Sequence, residues 1–227
     1  MSLTRSEENY LKTIYYLAEH NRVDSIATNA MAERLKTTPA SVSDMIRKLK
    51  EKGLVSYEKY QGVSLNEEGR KLALKIIRKH RLWETFLVRK LGFQWDEVHD
   101  VAEQLEHVQS TLLIERLDKF LGSPSVDPHG EPIPGTDGTV RFLKGIILDE
   151  LPEGSVSVLV GVKDSQDVFL QYLDKLNLYI GANIRILEKI AFDQSLQIEI
   201  DHQQRVNISR EVSGNLFCSE LGKQEGN

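Results

Sequence analysis

Residues 38–50 read Thr-Pro-Ala-Ser-Val-Ser-Asp-Met-Ile-Arg-Lys-Leu-Lys, and their reading decides the fold. Thr38 is a natural N-cap, and Pro39 takes the first helical position, where its missing N–H costs nothing. Val42, Met45, Ile46 and Leu49 recur at helical spacing and form one apolar stripe. Gly53 then ends the helix. The other face holds Ala40, Ser41, Ser43, Asp44, Arg47, Lys48 and Lys50. Small hydroxylated residues come first and cations later. That order suits a helix whose start approaches base edges while its later turns hold the phosphate backbone.

Upstream, Thr28 is predicted to cap a short helix through Ala30, Met31, Ala32 and Leu35, and Lys36-Thr37-Thr38 forms the turn. Before it, Thr4-Arg5-Ser6-Glu7 is a capping box. The helix it opens turns Leu11, Ile14, Tyr15 and Ala18 inward, carries Asn9 in its first turns, and runs out near His20 and Asn21. Downstream, two strands are predicted at 54–60 and 63–65 around Gln61-Gly62. Helix, short turn, helix and hairpin make a winged helix-turn-helix. Between Arg34 and Lys90 there are 15 Lys and Arg against 6 Asp and Glu, a net of +9 in a chain of net charge −5, so the rest carries −14. One basic segment in an acidic chain points to a local polyanion partner, here double-stranded DNA. Thr38, Ala40, Ser41, Ser43, Asp44, Arg47 and Lys48 are the candidate DNA contacts. A plain helical packing motif with a solvated basic face is the bland alternative.

A helical pattern over 66–91 places His80 and Glu84 four residues apart. A second helix, capped by Asp96 and running to His107, gathers His99, Glu103, Glu106 and His107 within a stripe of roughly 100°. Crowded carboxylates repel and raise one another's pKa unless something positive sits between them, and a divalent cation is the simplest candidate. A solvated acidic face with incidental histidines is the alternative. Neither ligand face carries Cys or Met, so the donors are oxygen and imidazole. Such a set suits Mn(II) and Fe(II), with Zn, Co or Ni able to substitute. The zinc-protease pattern His-Glu-x-x-His is absent. A third helix, 111–121, capped by Ser110 and stopped by Gly122, carries Leu112, Leu113, Leu117, Phe120 and Leu121. These serve either a self-association surface or ordinary core.

Residues 123–138 hold four of the six prolines and read as a stiff linker or loop. Beyond them the pattern turns to strands at 156–162, 183–190, 196–201 and 205–208, with one helix at 166–176, which suggests a small β-barrel. The fold class is therefore mainly α with small β. Charged residues are 28% and apolar residues 40% of 227, a globular balance. The single cysteine, Cys218, excludes an internal disulfide framework and fits a reducing compartment. No run of ~18 apolar residues and no leader pattern stands out, so the expectation is a cytoplasmic protein with no membrane partner.

Five segments together resemble the diphtheria toxin repressor family of metal-dependent transcriptional repressors, which includes the manganese transport regulators. They are Ser-Glu-Glu-Asn-Tyr-Leu-Lys-Thr-Ile-Tyr (6–15), Arg-Lys-His-Arg-Leu-Trp-Glu (78–84), Val-His-Asp (98–100), Glu-Gln-Leu-Glu-His (103–107) and Pro-His-Gly-Glu-Pro-Ile-Pro-Gly (128–135). The resemblance implies a winged helix-turn-helix DNA-binding domain (1–65), a helical metal-binding and dimerisation domain (66–138) and an SH3-like, FeoA-like domain (139–227). It implies a homodimer that binds operator DNA when metal is present and takes no small organic substrate. By position it implies Glu103, Glu106 and His107 as a primary regulatory site joined by Asn9. His80, Glu84 and His99 form an ancillary site, to which the C-terminal domain adds a ligand such as Asp167, with Asp164 and Gln166 nearby. Asn9 stands where manganese regulators have Asp and iron regulators have Met, and offers only a neutral carbonyl. Lys12 stands where two-domain manganese regulators have a further Glu. Glu103 replaces the iron regulators' Cys with a harder ligand, which favours Mn(II).

The expected function is a Mn(II)- or Fe(II)-dependent repressor of metal-homeostasis genes, not an enzyme. Two other readings remain: a winged-helix regulator answering a non-metal ligand, and a metallohydrolase. The second lacks an obvious nucleophile or general base.

Overall fold

The computed structural model describes residues 3–21, 23–58, 61–141 and 145–220. The chain forms two compact units, one from Met1–His80, Glu103–Ile114 and Pro134–Val140, the other from Arg81–Ala102, Glu115–Ile133 and Arg141–Asn227. Among the described residues no helix is long and apolar enough to cross a membrane.

The first unit holds the winged helix. Helix α1 (Arg5–Asn21) is opened by the expected capping box: Thr4 N–H donates to Glu7 Oε2 at 2.8 Å, and Glu7 N–H to Thr4 Oγ1 at 3.3 Å. Helix α2 (Thr28–Arg34) begins at Thr28 itself, with Ala27 as an N-cap that makes no side-chain bond, so Thr28 is one residue too late to cap it. Helix α3 (Pro39–Glu51) is capped by Thr38, whose Oγ1 accepts from Ser41 N–H at 3.2 Å. Its stripe Val42, Ile46 and Leu49 meets Leu11 and Ile14 of α1 and Met31 of α2 in one core.

Strands β1 (Val55–Glu58) and β2 (Gly62–Leu65) pair antiparallel, and Ile26 bridges Val63 to widen the wing. Gly62 has φ +99°, and a Cβ there would meet the Ile26 carbonyl, so glycine is required where the wing crosses that bridge. The predicted strand end at 59–60 lies outside the described residues. Helix α4 (Glu67–Leu91) follows, then α5 (Val98–Leu105) and α6 (Thr111–Phe120). The predicted helix 96–107 is shorter than expected at both ends. It starts at Val98, and Asp96 accepts from Gln171 instead of capping it. It stops at Leu105, which places Glu106 and His107 in the turn beyond.

The second unit contains a six-stranded antiparallel sheet, the small SH3-like β domain. Its strands are β3 (Ile146–Ile147), β4 (Val156–Val162), β5 (Asn183–Lys189), β6 (Leu196–Ile200), β7 (Gln204–Ile208) and β8 (Leu216–Glu220), in the order β3-β8-β4-β5-β6-β7. Helix α7 (Asp167–Lys175) and the short α8 (Arg210–Ser213) complete it. Leu159, Leu170, Leu173, Ile184, Ile198 and Leu216 form its core, which Trp95 also joins. Cys218 lies buried in β8, and burial pushes its thiol up to about 11, so it is an inert core residue.

Candidate metal centre

The C-terminal end of α5 meets the inner face of α1 within the first unit. Glu106 is wholly buried. Its Oε2 lies 2.6 Å from His80 Nδ1, and both oxygens accept from the Lys12 ammonium, at 2.7 and 2.8 Å. Glu103 Oε1 also faces Lys12 Nζ, at 3.3 Å. Burial alone would push the Glu106 carboxyl up, but the His80 hydrogen bond and the Lys12 charge outweigh it and hold the group below the ordinary carboxylate range. Lys79, also partly buried, faces the negative charges of Glu8 and Glu106.

His107 Nε2 stands 3.8 Å from Glu106 Oε1. Its Nδ1 pairs with Glu8 Oε2, and Glu8 Oε1 accepts from Gln109 Nε2 at 3.0 Å. A carboxylate on Nδ1 fixes the tautomer and turns the Nε2 lone pair towards Glu106, the arrangement that orients metal-binding imidazoles. Asn9 Oδ1 is buried with no hydrogen-bond partner, and its side chain lines a cleft with Ser6, Tyr10, Leu35, Thr37, Ser41 and Met45. Two carboxylates and one oriented imidazole are donors that fit a hard-to-borderline divalent cation.

Ancillary candidates lie on α4 and α5. His80 and Glu84 stand one turn apart on α4, and His99 Nδ1 lies 3.4 Å from Glu84 Oε1. His80 Nδ1 also meets Glu106 Oε2, at 2.6 Å. In the second unit, Glu84 also converges with Asp127 and His129, all three buried, with ligand atoms within 4.8 Å of one another. His129 Nε2 donates to the Trp95 carbonyl at 2.8 Å, which turns Nδ1 to Glu84 Oε2 and Asp127 Oδ1, each 3.9 Å away. Asp127 Oδ1 accepts the backbone N–H groups of His129 and Glu131 at 2.8 and 3.0 Å. Burial and the nearby charges of Glu84 and Glu131 push its carboxyl up to about 7. Arg81 pairs with Asp127 Oδ2 at 3.5 Å and with Glu131, and the oxygen and imidazole donors of this buried group also fit a cation.

Asp127 and His129 were not singled out by their sequence pattern, because they sit in the proline-rich loop where no helical spacing marks them. Asp167, the first residue of α7, is exposed and is not brought among these converging atoms.

On α3, Thr38, Ala40, Ser41, Ser43, Asp44, Arg47 and Lys48 are all exposed. Ser43 Oγ donates to the Pro39 carbonyl at 2.9 Å, and Arg47 pairs with Asp44 at 2.7 Å. A solvent-facing helix on a winged scaffold, beside a buried carboxylate–imidazole centre, defines a DNA-binding regulator with a metal site.

The comparisons with known proteins agree with that class. Residues 2–63 match the iron-dependent repressor N-terminal DNA-binding domain, residues 66–135 its metal-binding and dimerisation domain, and residues 146–220 the FeoA domain. The diphtheria toxin repressor of Corynebacterium diphtheriae is 38% identical over 225 residues, covering 96% of this chain and 99% of that one. The iron-dependent repressor IdeR of Mycobacterium tuberculosis is 40% identical over 166 residues, covering 70% and 71%. Among solved structures, a manganese-dependent transcriptional repressor in complex with manganese superposes with a TM-score of 0.81 at 35% identity, covering 95% of this chain and all of that one. The manganese regulator SloR superposes with a TM-score of 0.72 at 35% identity, covering 97% and 100%. The chain belongs to the iron-dependent repressor family, whose members are metal-dependent DNA-binding transcriptional repressors and not enzymes.

Proposed function

We propose that the chain is a homodimeric repressor that binds double-stranded operator DNA of metal-homeostasis genes in answer to Mn(II) or Fe(II). The observation that carries this reading is Glu106. A wholly buried carboxylate with Glu103, His107 and an ammonium beside it supports a cation site there. The absence of sulfur among these donors, and the manganese-dependent repressors among the structural relatives, support Mn(II) first. Bound there, the ion supplies the charge that lets two glutamates share one site.

The chain's own residues supply the rest. Glu103, Glu106 and His107 hold the ion, Glu8 orients His107, and Asn9 offers its carbonyl from α1. Leu11 and Ile14 of α1 pack in the same core as Val42 and Leu49 of α3, so whatever fixes α1 also fixes the helix that reads DNA. Metal need only bind the DNA-competent arrangement better than the other. Glu84 and His99, with His80 one turn away, and the buried Asp127 and His129 take a stabilising metal role, with Asp167 as the C-terminal candidate ligand. Helix α6 exposes Leu112, Leu113 and Phe120, which suits a two-fold contact for a symmetric operator. Operator DNA as partner places the protein in the cytoplasm, and neither a membrane nor a small organic substrate belongs to the reading.

Operator affinity is expected to rise at least about tenfold with micromolar Mn(II) and to fall again with chelator. Equal affinity in both conditions would refute metal gating and leave the regulator answering some other ligand. Contacts on α3 are tested by salt dependence. Arg47→Ala should weaken binding alike on all sequences and lower the slope of log affinity against log salt by about one unit, whereas changes at Thr38 or Ser41 should alter site preference. An unchanged slope in Arg47→Ala means that this face does not meet the backbone.

A further inference from the structure

We infer that Lys12 is a built-in competitor for the metal, an internal cation that fills the Glu103–Glu106 pair until a divalent ion displaces it. The inference rests on the proposed metal role of Glu103, Glu106 and His107.

Lys12 and Glu8 lie one turn apart on the inner face of α1, and each is buried with 6% and 5% of its surface exposed. A lysine this buried is rare unless its charge is matched. Here the match is unusually complete. The ammonium bonds both oxygens of Glu106 and one of Glu103, at 2.7, 2.8 and 3.3 Å. Glu106 Oε2 additionally meets His80 Nδ1. The ammonium therefore already occupies the Glu106 oxygen that faces His107, along with the space between the two glutamates. An ion cannot be held by both glutamates while the ammonium stays between them, because two cations would then share one buried pocket at short range.

Four groups among the described residues face the Glu106 carboxylate with positive or protonatable character: Lys12, His80, His107 and, further off, Lys79. Of these, Lys12 bonds oxygens of both glutamates. It thus does what the metal does, with a weaker charge and no diffusion from solvent. Affinity for a ligand falls by the fraction of protein in which its site is free. An ammonium that occupies the pair almost all the time accordingly raises the metal concentration at which the site fills. It also keeps the carboxylates from repelling one another when metal is scarce.

The test is Lys12→Leu, which removes the charge without adding a donor, beside Lys12→Arg, which keeps the charge. Calorimetric Mn(II) titration of the full-length protein reads the site that His107→Ala removes. Lys12→Leu should bind Mn(II) at least about tenfold more tightly there than the wild type, and Lys12→Arg should stay near it. Without metal, thermal melting of Lys12→Leu should fall below wild type, and saturating Mn(II) should restore it. If Lys12→Leu is too unstable to titrate metal-free, Lys12→Gln takes its place with the same expectation. Equal or weaker Mn(II) binding in the uncharged variants overturns this inference alone, since the lysine then supports the bound state. The absence in every variant of a Mn(II) site sensitive to His107→Ala overturns the metal reading and this inference with it.

Discussion

His107→Ala is expected to fold, to bind non-specific DNA with an unchanged salt slope, and to lose the response of operator affinity to Mn(II). At the Glu103–Glu106 end of α5, His107 has its Nε2 turned to the site by a second residue. Glu8 holds Nδ1, and Nε2 is left 3.8 Å from Glu106 Oε1. Alanine removes that donor and leaves Glu8 with the Gln109 hydrogen bond and the charge of Lys79. Losing even an orienting partner of a metal ligand costs about 10–100-fold in affinity, and losing the ligand itself should cost at least that.

His80→Ala is the informative contrast. It keeps Glu103, Glu106 and His107 but deletes the 2.6 Å contact with Glu106 Oε2. Half-activation should therefore move to higher Mn(II) while full activation remains attainable. Operator titrations by fluorescence anisotropy, with and without Mn(II), give both numbers. A normal response in His107→Ala together with none in His80→Ala would reverse the assignment of the regulatory residues.

Gly130→Ala is expected to destabilise the protein by about 3 kcal/mol, lowering the melting temperature by roughly 10 °C. Two effects add at this position. Its φ of +83° is costly for any residue with a Cβ, and that Cβ would run into the Val160 carbonyl and the Cα of Gly161 on β4. The loop cannot retreat cheaply, because Val162 N–H donates to the His129 carbonyl at 3.1 Å and Gly130 N–H to the Asp127 carbonyl at 3.2 Å. Moving it carries Asp127 and His129 away from Glu84. One class of metal binding, the class removed by His129→Ala, should disappear with the stability. Gly122→Ala separates the causes. Its φ is +78°, but nothing lies within 4 Å of the new Cβ, so only the backbone strain remains, about 1 kcal/mol. Equal losses in the two variants would show that collision with β4 contributes nothing.

The elements that carry their own local chemistry were the legible ones. Thr4, Thr38 and Pro39 announce helix starts by hydrogen bonds that close within three residues, and the apolar stripe of α3 is visible as a period. Glu103, Glu106 and His107 could be picked out as a group by spacing alone, although Glu106 and His107 turn out to sit just beyond the helix end. What stayed hidden depends on distant partners. Glu8 and Lys12 look like an ordinary solvated pair four apart on a helix, and only tertiary packing buries them against residues about ninety positions away. Asp127 and His129 lie in a loop without periodicity. Strand β8 is five residues long and follows a four-residue helix, too little pattern to register, yet it lies inside its sheet, between β3 and β4.

That place between β3 and β4 constrains the order in which the protein can be made. A ribosome releases the chain from its N-terminus, and domains fold as their residues emerge. The winged helix draws its strands and three helices from a contiguous early stretch and can assemble while synthesis continues. The sheet cannot be completed that way: β4 pairs with β5 early, but β8 separates β3 from β4, so β3 has no partner and one edge of β4 stays open until residues 216–220 are out. Until then β4 presents an unpaired edge to the cell, and any premature stop before Leu216 leaves that edge open for good. The DNA-reading part thus exists before the sheet is finished.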